Sequence, residues 1–165
     1  MNESTPLSRT QQVIGLIVSI AICFAAAGLG SLATTPKIPN WYADLAKPSW
    51  NPPAWIFGPV WTTLYLFMAI AAWLVWRQGG FRNARGPLLL FGVQLVLNTL
   101  WSFLFFGLQN PGAAAIEIVV LWVAILATLL AFAKRSTTAA SLLAPYLAWV
   151  SFAAVLNFTI WRMNS

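Results

Sequence analysis

The run G-A-A-A-I-E-I-V-V-L-W-V-A-I-L-A-T-L-L-A-F-A, Gly112 to Ala133, carries one charged side chain, Glu117, in an otherwise apolar stretch. A helix needs about 20 mostly apolar residues to cross a bilayer, and this run supplies them. Four further runs qualify: Val13 to Thr34, Ala54 to Trp76, Pro87 to Gly107, and Ala139 to Trp161. The last three connections, Arg77 to Gly86, Leu108 to Pro111 and Lys134 to Thr138, are short, and short connections force antiparallel neighbours. The expected fold is all-α: an integral membrane up-down bundle of five transmembrane helices, forming one domain over residues 1–165.

Composition agrees. Of 165 residues, 60% are hydrophobic and 7% are charged, where a soluble domain carries roughly a quarter charged residues. The net charge of +6 does not indicate nucleic-acid binding, because the basic residues sit at the ends of apolar runs and no nucleic-acid motif is present. Arg9, Arg77, Arg82, Arg85, Lys134 and Arg135 fall on the N-terminal side of the bundle, and Lys37, Lys47 and Arg162 on the other. Six against three favours a cytoplasmic N-terminus if the membrane is a plasma membrane. Arg9, the apolar run to Ala27 and S-L-A-T also resemble a signal peptide cleaved after Ala33. The length of the run favours a retained helix.

There is no histidine, and Cys23 is the one cysteine. Disulfides within the chain, Cys/His zinc sites, haem ligation by His, and His-dependent nucleophilic catalysis are thereby excluded. No metal site and no cofactor are expected.

The long connection, residues 35–53, leads into the most unusual stretch, W-Y-A-D-L-A-K-P-S-W-N-P-P-A-W-I-F-G-P-V-W-T-T-L-Y from Trp41 to Tyr65. Tryptophan offers a flat apolar face with one donor, and proline stiffens the chain. A stiff aromatic segment over a membrane bundle reads as the lid and wall of a pocket for a flat, apolar ligand. Asn51 is expected to cap the second helix, with Pro52 and Pro53 in its first turn. Pro59 and Pro145 should each remove a helical hydrogen bond, and Asn110-Pro111-Gly112 should turn tightly.

Buried polar groups in lipid are costly, so each invites a reading. Glu117 reads either as a side chain snorkelling to the interface or as a proton or cation site, and the lack of a second buried charge favours snorkelling. Gln94, Asn98, Ser102 and Asn157 could bond between helices or floor a ligand site. Small residues four apart in the first run, Gly15/Ser19, Ala21/Ala25, Ala26/Gly30 and Ala27/Ser31, suit either close packing inside the bundle or a dimer seam. Trp41, Trp50, Trp55, Trp76 and Trp161 fall near helix ends and read as an interfacial belt. Trp61 and Trp149 lie deeper, beside the prolines, where an indole N–H wants a partner.

Four motifs carry a resemblance. They are W-Y-x-x-L-x-K-P-x-W-x-P-P (Trp41 to Pro53), G-P-V-W-x-x-L-Y (Gly58 to Tyr65), L-N-x-x-W-x-x-x-F-F-G (Leu97 to Gly107) and P-Y-L-A-W-x-x-F-A-x-x-L-N (Pro145 to Asn157). In order and spacing the chain resembles the TspO/MBR family of tryptophan-rich sensory and translocator proteins, in a bacterial-type form. The resemblance implies a five-helix bundle, commonly a homodimer, with residues 35–53 closing a pocket. It implies porphyrin ligands such as protoporphyrin IX or haem, and membrane lipid as surroundings. The implied ligand-binding residues are Trp41, Tyr42, Pro48, Trp61, Asn98, Ser102, Trp149, Phe152, Ala153 and Leu156. It also implies two alternatives: light-dependent porphyrin degradation, with Trp61 and Trp149 as electron donors, and sterol or lipid transport. The sterol pattern of the animal proteins has a tyrosine where this chain has Phe158, in L-N-F-T-I-W-R from Leu156 to Arg162, which speaks against a sterol. Proton or ion flux has little support with Glu117 as the lone acid in an apolar run.

Overall fold

The computed structural model describes residues 7–165, and among these every regular element is helical. Five helices are long and apolar enough to cross a membrane. They are α1 (Arg9–Thr34), α2 (Ala54–Trp76), α4 (Arg85–Ser102), α5 (Pro111–Ala133) and α6 (Thr137–Met163); α3 is a single turn, Gly80–Asn83. α1 packs on α2, α2 on α6, α6 on α5, α5 on α4, and α4 on α1, which closes a ring.

Local chemistry sets the ends. α1 begins at Arg9 rather than Val13 because Ser8 and Gln11 form a reciprocal capping box: Gln11 N–H donates to Ser8 Oγ at 3.2 Å, and Ser8 N–H to Gln11 Oε1 at 2.8 Å. At its other end α1 does not stop at the expected loop. It tightens into a 3₁₀ turn, Thr35–Lys37, and then widens into a π turn, Ile38–Tyr42. The Ala33–Thr34 bond therefore lies inside a continuous helical stretch. α4 likewise ends in a π turn, Phe103–Gly107. Gly79 and Gly80, at φ +137° and +74°, make the turn after α2 in conformations that disfavour other residues. Asn110 caps α5 by accepting from Ala113 N–H at 2.9 Å, with Pro111 in the first turn. Asn51 does not cap α2; Pro53 holds that position, and Asn51 is used in the lid.

The outside of the bundle is apolar: Ile116, Val96, Ile17 and Val155 are 70%, 68%, 61% and 58% exposed. That is the pattern of a surface solvated by lipid. Two pairs of the small-residue stripe on α1 serve internal packing. A side chain at Gly15 would strike the Trp76 ring, and Ser19 Oγ donates to the Ala69 carbonyl at 2.7 Å. Ala26 and Gly30 are buried, and a Cβ at Gly30 would lie 3.1 Å from Ser102 Oγ, so α1 and α4 approach closely there.

Candidate functional site

A cavity of about 590 Å³ lies between α1, α2, α4 and α6 beneath the lid; α5 packs behind it and contributes no lining residue. The size falls within the ~300–1,000 Å³ typical of small-molecule sites.

The α2–α6 wall is a ladder of rings. Trp61 packs edge-on to Tyr146 at 6.2 Å, and one turn away Phe57 packs edge-on to Trp149 at 5.9 Å. Both helices remain helical through Pro59 and Pro145, which lie close to these tryptophans. The α4 wall is aromatic as well. Trp101 stacks on Phe105 at 5.2 Å and donates its Nε1–H to Asn157 Oδ1 at 2.9 Å.

A buried polar chain crosses the centre. Tyr65 O–H donates to Asn98 Oδ1 at 3.2 Å, Asn98 Nδ2 donates to Tyr146 Oη at 2.6 Å, and Tyr146 O–H donates to Gln94 Oε1 at 2.9 Å. Tyr65 and Asn98 present this chain to the cavity; Tyr146 and Gln94 lie deeper in the core. Asn98 thus serves both roles raised from the sequence, bonding between helices and facing the cavity. Asn157 does the same, because its Nδ2 donates to the Pro111 carbonyl at 2.8 Å and it also lines the cavity.

The lid is held from several directions. Trp41 and Tyr42 pack on Phe105 and Phe106. Tyr42 O–H donates to Asn51 Oδ1 at 2.9 Å. Asn164, just beyond α6, accepts from Ala46 N–H at 3.0 Å and donates to the Ala46 carbonyl at 2.9 Å. Lys47 Nζ donates to the carbonyls of Tyr42, Ala43 and Leu45 at 2.6, 2.9 and 2.8 Å, closing the end of the α1 extension. Those three bonds match the three donors of an ammonium group.

Of the residues singled out from the sequence, Tyr42, Trp61, Asn98, Ser102, Trp149, Ala153 and Leu156 meet on this cavity, while Trp41, Pro48 and Phe152 do not line it. Phe152 stands behind Trp149, at 5.5 Å, and carries Trp50 on its other side, at 5.9 Å. Trp41 packs inside the bundle and Trp76 covers Gly15, so neither is a simple belt residue; Trp55, 72% exposed, fits the belt. Trp101, Phe105 and Tyr65 line the cavity although the sequence reading gave them no role; the motif W-x-x-x-F-F was the available signal for the first two, and G-P-V-W-x-x-L-Y for Tyr65.

Two buried polar groups lack a hydrogen-bond partner among the described residues: the Trp149 indole N–H and the Glu117 carboxyl. Trp149 is in the cavity wall. Glu117 does not snorkel; it is 8% exposed on the inner face of α5, and neither oxygen finds a donor. Its position beside buried Ala114, Ile118 and Leu121 turns it toward the bundle interior.

A model of the TspO/MBR family matches residues 19–162. The Tryptophan-rich protein TspO of Chlorobaculum tepidum is 47% identical over 156 residues, covering 93% of this chain and 98% of that protein. The Translocator protein of Homo sapiens is 47% identical over 127 residues, covering 76% of this chain and 75% of that protein. The Tryptophan-rich sensory protein of Cereibacter sphaeroides is 40% identical over 145 residues, covering 88% of each. With its five apolar helices, the chain is a multi-pass integral membrane protein.

Proposed function

The chain belongs to the TspO/MBR family, which supports a membrane receptor role, and from that premise we propose that its cavity binds porphyrins such as protoporphyrin IX or haem and similar flat, apolar molecules. The observation that carries this reading is the Trp149 indole N–H, a buried donor without a partner in the wall of an aromatic cavity. A buried donor left unpaired is costly, and a turn of the Trp149 ring that brings this N–H to a ligand acceptor in the cavity would relieve that cost. Trp61 and Trp149 offer ring faces and edges to a planar macrocycle. Porphyrin carboxylates would find hydroxyls at the cavity rim, Ser31 and Thr35, rather than the committed Lys47 ammonium. The same proposal includes assembly as a homodimer. Gly15/Ser19 and Ala26/Gly30 serve internal packing, which leaves the exposed pair Ala21/Ala25 as the small-residue seam that α1 can offer a second copy.

A second reading, light-dependent degradation of the bound porphyrin with dioxygen as oxidant, is favoured by one arrangement. Trp61 touches the rings of both Tyr65 and Tyr146, at 5.8 and 6.2 Å, so a tryptophan that gave up an electron would have phenols beside it.

One experiment separates these readings. Purified protein is titrated with protoporphyrin IX in the dark, following tryptophan fluorescence, and compared with a Trp61→Phe, Trp149→Phe double variant. The samples are then illuminated. Saturable binding that weakens in the variant supports the receptor reading. Loss of the porphyrin absorption band only in light, and only with both tryptophans, supports degradation. Unsaturable quenching refutes both.

A further inference from the structure

One side of the cavity is not closed. At one end α1 and α2 are tightly joined: Ser19 Oγ bonds the Ala69 carbonyl, Trp73 Nε1 donates to the Gln12 carbonyl at 2.8 Å, and the Trp76 ring covers Gly15. Toward the lid this contact loosens. Gly28 and Ser31 of α1, and Gly58 and Thr62 of α2, line the cavity and are exposed, where Tyr65, Asn98 and Leu156 of its inner wall are buried. Lining residues that stay this accessible mark the open side. The antiparallel register that sets Ser19 beside Ala69 brings Gly28 to the level of Gly58 and Thr62, so the exposed positions meet across one seam. A Cβ at Gly28 or at Gly58 would meet nothing within 4 Å. Gly58 and Thr62 lie about 6 and 12 Å along α2 from its first residue, which places the gap within the depth of the hydrocarbon layer rather than above it.

The lid, which the sequence reads as closing the pocket, is the better-fastened side. Lifting it would break both Asn164–Ala46 bonds and the aromatic contacts of Trp41 and Tyr42 with Phe105 and Phe106. Parting two helices in lipid costs less. Each helix satisfies its own backbone, so no N–H or C=O is orphaned, and no hydrophobic force holds apolar helices together against lipid tails.

We infer that the cavity is loaded sideways from the bilayer, through the α1–α2 seam at Gly28, Ser31, Gly58 and Thr62, and that its ligands are molecules that first partition into lipid. This inference rests on the reading of the cavity as a ligand site. The lid is then a roof that keeps water out while the seam admits the ligand edge-on. A planar molecule suits a slit between two helices, and the lack of side chains at Gly28 and Gly58 keeps the slit wide at its middle.

The test is the rate at which bound protoporphyrin IX leaves the full-length protein in phosphatidylcholine nanodiscs, chased with excess empty phosphatidylcholine vesicles. Gly28→Leu and Gly58→Leu put bulk into the seam. A residue that merely contacts the ligand speeds release when it is damaged, whereas a plugged doorway slows it. Dissociation slowed about tenfold or more in the leucine variants, with Asn164→Ala unchanged, is the expected result. Release that is unchanged or faster in both leucine variants, or accelerated by Asn164→Ala, overturns lateral entry. A second measurement needs no substitution: at one free aqueous concentration, porphyrins of increasing lipid–water partition coefficient should associate with the wild-type protein at rates that rise with their mole fraction in the bilayer. A rate that follows the aqueous concentration instead overturns the proposal. Absence of saturable binding in the wild type overturns the ligand-site reading itself, a separate outcome from a saturable site with the wrong kinetics.

Discussion

Asn98 offers a sharp test of how the buried polar chain stabilises the bundle. Replacing it by leucine removes two hydrogen bonds, one from Tyr65 O–H and one to Tyr146 Oη. In membrane proteins such bonds contribute about 0.6 kcal/mol each on average, so the direct loss is about 1.2 kcal/mol. Tyr146 keeps its bond to Gln94, but Tyr65 loses the acceptor of its hydroxyl. Tyr65 is 5% exposed, and an orphaned buried hydroxyl costs a further ~1–3 kcal/mol. Asn98→Leu should therefore destabilise by about 2–4 kcal/mol. The informative variant is the double one, Tyr65→Phe with Asn98→Leu. It removes the orphan along with the bond, so it should be more stable than Asn98→Leu alone by about 1–2 kcal/mol, even though it carries an additional substitution. Reversible unfolding in mixed micelles titrated with dodecyl sulfate, followed by far-UV circular dichroism, measures both. If the double variant is no more stable than the single one, Tyr65 does not depend on Asn98 and the polar chain does not run through that bond.

Three further outcomes follow from other contacts. Glu117→Gln should leave stability unchanged or raised in the same unfolding assay, because neither carboxyl oxygen has a partner among the described residues; a loss of ~3–5 kcal/mol would reveal a buried ion pair. Asn164→Ala should raise hydrogen exchange at Ala46 by about thirtyfold, since two bonds of about 1 kcal/mol each tie that residue to the end of α6; unchanged exchange would show that aromatic packing alone holds the lid. Gly79→Ala should lower stability by ~1–2 kcal/mol, while Gly86→Ala should not. Gly79 sits at φ +137° with Asn83 where a side chain would go, whereas Gly86 is inside α4 with open space beside it.

The fold was legible in the sequence because lipid imposes a simple demand. Each crossing needs a long apolar run, and runs such as Gly112 to Ala133 meet it without ambiguity. What the sequence concealed are places where a local signal competes with a tertiary one. The segment after Thr34 holds prolines and polar residues and reads as loop, yet it stays helical to Tyr42 because Trp41 and Tyr42 find Phe105 and Phe106, and Lys47 closes the carbonyls at its end. Asn51 has the chemistry of a cap, but Tyr42 takes its side-chain oxygen first. Glu117 reads as a snorkelling side chain because no second buried charge accompanies it in the sequence; that lack does not say which face of α5 it occupies, and it occupies the inner one. The cavity residues divide in the same way. Trp61, Asn98 and Trp149 stood out because each is odd for a purely apolar helix, whereas Phe105 and Trp101 look like ordinary membrane aromatics until the π turn of α4 and the bond to Asn157 orient them.

An apolar cavity set in a bilayer has a consequence for any affinity measured on this protein. Whatever route the ligand takes, the binding constant referred to water is the product of the water-to-lipid partition coefficient and a lipid-to-cavity constant that reports the contacts in the cavity. A more apolar ligand gains on the first count without touching a single residue. Selectivity then has to come from features the bilayer lacks: the lone Trp149 donor, the Tyr65–Asn98 pair, and hydroxyls at the rim such as Ser31. A ligand with one acceptor at the right place should be distinguished from an equally apolar one without it by the ~1–3 kcal/mol of a satisfied buried donor. Comparing porphyrins of matched partitioning that carry or lack a side-chain carbonyl, in wild-type protein and in Trp149→Phe, isolates that contribution. If Trp149→Phe weakens both members of a matched pair equally, the tryptophan acts through its ring area alone and its unpartnered N–H has no part in recognition.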